Sequence, residues 1–126
     1  MTLAGDAYPA EWFAKAEQDM ARVQRRLDEG DTEDAAFHLQ QAVEKALKGY
    51  LLGHGWKLRK IHDVEALLDE AIATNAALEM FRTLCQQVTG YYLIERYPGV
   101  VEGPSHEDIV TAAQQATRLL QTLLGH

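Results

Sequence analysis

The sequence has little of what marks several protein classes. Its one cysteine, Cys85, cannot form an internal disulfide, and a reducing, cytoplasmic setting is expected. No apolar run exceeds a handful of residues, which excludes a spanning segment. The opening MTLAGDAYPAEW carries neither the basic stretch nor the apolar stretch of a secretory signal. The histidines, at positions 38, 54, 62, 106 and 126, are not paired at ligand spacing, and the lone cysteine falls on an apolar stripe, so no metal is expected. There is no phosphate-cradling glycine loop and no nucleophile elbow, and no cofactor is expected. No segment alternates with period two, so no sheet is expected. Repeats, low-complexity tracts and linkers are also lacking.

Positive charge is scarce. The net charge of −7 argues against a dedicated nucleic-acid binder. Its distribution is uneven. From Arg22 to Lys60 there are eight basic and six acidic residues, giving +2, while the other four basic and thirteen acidic residues give −9. An anionic ligand would meet the first half of the chain.

What is present is helix. At 126 residues, 47% apolar and 25% charged, the chain suits one folded domain. Pro9 to Glu29 reads as a first helix with Trp12, Phe13, Ala16, Met20, Val23 and Leu27 on one face. Gly30 ends it, and Asp31 caps a second helix over Thr32 to Gly53, striped by Leu39, Ala42, Val43, Ala46, Leu47 and Tyr50. GHGWKLRKIH breaks the pattern. A short third helix begins near His62 or Asp63, with Val64, Leu67, Leu68, Ala71 and Ile72 inward. The fourth covers Ala77 to Glu95, with Leu78, Phe81, Cys85, Val88 and Tyr92 inward, and stops at Pro98. Ser105 caps the fifth, whose inner face carries Ile109, Ala112, Ala113, Ala116, Leu119, Leu120 and Leu123. The expected fold is all-α, an up-and-down bundle of four long helices plus one shorter one, forming a single domain over residues 1–126 with its core at about 10–124.

The second helix has an unusual further face. At about 100° per residue, Phe37, Gln41, Lys48 and Leu52 share a narrow strip opposite Leu39 and Val43. Apolar ends around polar groups suit a protein interface, to which Lys45 also belongs. Alternatively, another helix of the same bundle covers the strip and the second helix is central. In either case Lys45 and Lys48 act through their apolar stems and through Glu44–Lys48 pairing.

Three pieces, AFHLQQAVEKALKGYLLGHG, IHDVEALL and YYLIERYPG, resemble in this order the HEPN family (higher eukaryotes and prokaryotes nucleotide-binding domains). The family pattern is a helix with QQA-EKALK, a His-Asp opening the next helix, and a tyrosine-rich helix ending in Arg-Tyr-Pro. The resemblance spans roughly Phe13 to Leu124. It implies a helical bundle that is often dimeric and often paired with a small nucleotidyltransferase encoded alongside, in toxin–antitoxin-like prokaryotic modules. Some members are metal-independent ribonucleases and others bind nucleotides.

The ribonuclease branch needs an arginine followed after four to six residues by a histidine. Arg22, Arg25, Arg26, Arg59, Arg82 and Arg96 have none in that window, and seven residues separate Arg118 from His126. The usual motif is therefore absent, and Arg96 with His106 is the one atypical catalytic candidate. For an anion or nucleotide, Lys57, Arg59 and Lys60 beside the start of the third helix, with His62 and Asp63, form the most cationic stretch. His62-Asp63 reads first as a helix cap. Tyr92 and Arg96 are further candidates, by base stacking and phosphate contact, beside their plain roles in packing and at a helix end. The sequence thus leads to a helical module without classical catalysis, a homodimer that pairs with a nucleotidyltransferase and takes a nucleotide or RNA. The rivals are a ribonuclease toxin with an atypical site and a plain dimerisation module.

Overall fold

The computed structural model describes residues 9–96 and 103–125, and the side chains of residues 92–96 lie outside that description. Five α-helices follow in order: α1 (Pro9–Asp28), α2 (Thr32–Leu52), α3 (Val64–Ile72), α4 (Arg82–Arg96) and α5 (His106–Leu124). This is the all-α bundle of four long helices and one short one, with no strand among the described residues.

The connections are made by local chemistry. Gly30 takes φ 77°, a left-handed conformation that glycine adopts without steric cost. The amide of Asp31 then donates to the Arg26 carbonyl at 2.8 Å and that of Gly30 to Leu27 at 3.0 Å, closing α1 in a Schellman turn. The next side chain opens α2, because Asp31 accepts from the Asp34 amide at 3.2 Å. The two helices joined by this short corner run antiparallel. The pairs Arg26–Asp34, Asp19–Lys45 and Trp12–Lys48 climb the hairpin in that sense.

Helix α2 is the centre of the molecule. It packs against α1, α3, α4 and α5. Buried positions cover most of its circumference, including the neighbouring stripes Leu39, Val43, Leu47 and Gln40, Glu44, Lys48. Gly49 allows the closest approach. A Cβ there would stand 3.1 Å from Trp12 Cβ and 3.2 Å from the Pro9 carbonyl oxygen.

Two boundaries differ from expectation. Helix α3 starts at Val64 because Asp63 is its cap, its carboxylate accepting from the amides of Glu65 and Ala66 at 3.0 and 3.2 Å. The segment expected to open the fourth helix is instead a 3-10 helix, Ala76–Phe81, capped by Asn75. Three residues per turn eclipse positions i and i+3, so Leu78 and Phe81 both point into the core. Helix α5 opens with a full capping box: the Asp108 amide donates to Ser105 Oγ and the Ser105 amide to Asp108, each at 3.1 Å. No described helix is long and apolar enough to cross a membrane.

Candidate functional site

The further face of α2 is mostly covered. Phe37, Gln41 and Leu52 are half-buried, while Lys48 is only 4% exposed. Helix α1 lies across part of it, as in the reading that makes α2 a central helix. Lys48 Nζ donates to Glu44 Oε2 at 3.0 Å and sits 5.8 Å from the Trp12 ring. Gln40 donates to Glu44 Oε1 at 2.8 Å, Gln41 donates to Gln40, and His62 Nδ1 stands 3.4 Å from Glu44 Oε1. Lys48, read as interface, and His62, read as an anion contact, thus converge on one buried carboxylate, which Gln41 reaches only through Gln40.

A second ionic group joins α1 to α2. Asp19 is 1% exposed and accepts from Lys45 Nζ at 2.6 Å, and His38 Nδ1 lies 2.9 Å from it. His38 Nε2 faces Asp34 Oδ2 at 3.3 Å, and Asp34 also takes Arg26 at 2.7 Å. Phe37 packs edge-on against the His38 ring. Lys45, another interface candidate, therefore belongs to a link within the chain. The sequence held a signal for this group. Asp19 sits on the inner side of α1, three residues after Ala16 and four before Val23, where a carboxylate needs a partner.

The cationic loop is open. Residues 57–60 are exposed and non-helical, and Leu58 is 45% exposed between Lys57 and Arg59. Arg59 is committed: it pairs with Glu70 and lies over the Trp56 ring at 5.2 Å, while Trp56 Nε1 donates to the same carboxylate. Lys57 and Lys60 make no ion pair among the described residues. At the start of α3 the Asp63 carboxylate accepts from the first amides and sets a negative charge beside them.

On the far side of α3, Arg82 is shared by Glu65 at 3.2 Å, Asp69 at 2.7 Å and Glu79 at 2.9 Å. Hydrogen bonds to Asp69 and Glu79 raise the guanidinium pKa further above its ordinary value. Burial pushes the Cys85 thiol up to about 12, which leaves it a packing residue and not a nucleophile.

The HEPN domain profile matches residues 9–126. The chain belongs to the HEPN family. No curated protein matches it. Two crystal structures are similar to it over most of both chains. One is ST0689, an archaeal HEPN homologue, with 26% identity and TM-score 0.74, covering 94% of this chain and 97% of that one. The other is TT1696 from Thermus thermophilus, with 25% identity and TM-score 0.78, covering 93% and 96%.

Within this HEPN chain two of the pieces that carried the resemblance are structural neighbours. QQAVEKALK supplies Gln40, Gln41, Glu44 and Lys48, and His-Asp supplies the histidine beside Glu44 and the cap of α3. The side chains of Tyr92 and Arg96 lie outside the described residues. His106, the other half of the atypical catalytic pair, is exposed at the start of α5. There it borders a groove of roughly 370 Å³ between α1 and α5, floored by Met20, Val23 and Val110.

Proposed function

We propose that this HEPN protein is a binding module and not a catalyst: a homodimer that pairs with a small nucleotidyltransferase in a toxin–antitoxin-like system. The observation that carries the reading is the contrast between interior and surface charge. Glu44 with Lys48, and Asp19 with Lys45 and His38, are held by one another, so these groups serve cohesion. Among the exposed charges that make no ion pair with described residues are Lys57 and Lys60, which flank an exposed leucine, an arrangement that suits recognition of another surface. Nucleotide or RNA binding at this loop has less support, since Arg59 is engaged by Glu70 and Asp63 screens the helix end.

Sequencing the neighbouring genes for a small nucleotidyltransferase and co-expressing it, followed by size exclusion with light scattering, tests the pairing. A stable complex is expected, and two proteins that elute separately would remove the partner from the reading. Purified protein alone is expected to scatter as twice its 14.1 kDa chain mass and to leave RNA intact. RNA cleavage that vanishes in Arg96→Ala or His106→Ala would replace this reading with the ribonuclease one.

A further inference from the structure

We infer that two copies of this chain associate through the face built by the 57–60 loop, the outer side of α3 and the 3-10 helix. The basic loop of each copy then rests on the acidic flank of the other. The inference relies on the dimeric reading above and names its interface.

Helix α3 turns Val64, Leu67, Leu68 and Ala71 inward. At about 100° per residue, Ala66, Asp69 and Ala73 then form its outer crest. Glu70 lies on one flank, where it holds Arg59 and Trp56. Glu65 and Asp69 lie toward the other, where they hold Arg82. The loop and the 3-10 helix therefore border a single surface from opposite sides. Its middle is low, because Ala66 and Ala73 have one-carbon side chains and let a second backbone come close.

The two borders are complementary in charge, and each carries one exposed large hydrophobic side chain. On the loop side, Lys57 and Lys60 are exposed and without an ion pair among the described residues, and Leu58 stands out between them. On the other side one arginine serves three carboxylates, Glu65, Asp69 and Glu79, which leaves two negative charges in excess. Beside them Met80 is 66% exposed. Leu58 and Met80 are the exposed large hydrophobic residues among those described. A two-fold axis along α3 lays each loop over the partner's acidic flank and brings Leu58 of each copy toward Met80 of the other.

Self-complementarity of this kind is what a two-fold contact requires. The groove between α1 and α5, another apolar surface among the described residues, does not have it. Its borders carry Glu17 and Asp28 with no lysine or arginine among the lining residues, so two copies there would set carboxylate against carboxylate. The seam on α2 has its cations bound within the chain.

The test is charge reversal read by sedimentation velocity. Lys57→Glu with Lys60→Glu, and separately Asp69→Lys with Glu79→Lys, are each expected to weaken dimerisation by about tenfold or more, because like charges then face each other. An equimolar mixture of the two double variants is expected to regain the wild-type dimer, since both loop–flank contacts become opposite in sign again. Recovery on mixing also shows that both variants are folded. A wild-type dimer indifferent to either reversal, or a mixture that stays monomeric, overturns this interface and leaves the dimeric reading standing. A monomeric wild type overturns both.

Discussion

Replacing Lys48 with methionine probes the ion pair at the centre of the bundle. Both side chains of the Glu44–Lys48 pair are 6% exposed, so water cannot take the place of the lost ammonium. Methionine keeps most of the apolar stem against Trp12 but leaves Glu44 Oε2 without its donor at 3.0 Å. Breaking a buried pair from one side costs about 3–5 kcal/mol. Gln40 still donates to the other oxygen, at 2.8 Å, so the lower end, about 3 kcal/mol, applies. Unfolding entropy of about 2.1 cal/mol/K per residue over 126 residues is about 0.26 kcal/mol/K, which sets the fall in Tm at about 11 °C. The assay is urea unfolding with a thermal scan, both followed by far-UV circular dichroism. Adding Glu44→Gln removes the stranded charge while its amide oxygen can still accept from Gln40. The Glu44→Gln, Lys48→Met double variant should therefore regain at least about half of the loss. A single variant that loses less than about 1 kcal/mol, or a double variant less stable than the single, would refute the reasoning.

Further outcomes are expected. Gly90→Ala should stabilise by about 0.5–1 kcal/mol, because it meets nothing within 4 Å in the middle of α4. Gly49→Ala should show no such gain in the same melts, since its Cβ presses on Trp12 and on backbone at Pro9. Asp63→Ala should cost about 1 kcal/mol in urea unfolding, by removing the acceptor for two α3 amides. Cys85 should resist alkylation at pH 8 until the chain unfolds. Because its folded pKa is raised to about 12 from 9.0, the native state holds a proton that the unfolded state releases. That contribution is whole below about pH 9 and is lost as pH rises toward 12, so melts should weaken over that window.

The helices were legible because their signals are local. Gly30 with Asp31, and Ser105 with Asp108, fix their caps within a few residues. Leu78 and Phe81 were ambiguous, since a spacing of three serves an α-helix and a 3-10 helix alike, and only the surrounding core decides. The interior charges were hidden for a different reason. Glu44 and Lys48 four residues apart read as a pair, but the sequence left open whether their strip met another protein or another helix, and their burial comes from α1 folding back across them. The exposure of Lys57 and Lys60 could be read from the glycine-flanked cationic run. The engagement of Arg59 could not, because its partner Glu70 lies eleven residues on, past the start of α3. The HEPN resemblance was carried by residues that prove to be mostly the packing and polar links of α2.

The enclosure of α2 also sets a hierarchy of opening. A peripheral helix can detach and return while the rest stays folded, but α2 has a neighbour on every side. Its amides in the Leu39–Leu47 stretch should exchange with deuterated water only through global unfolding, whereas those of the 57–60 loop exchange at once. Its tightest partner, α1, is adjacent in the chain, joined by a corner of three residues. The hairpin they form closes a very short loop, so it is suited to assemble first and to serve as the template on which the later helices condense.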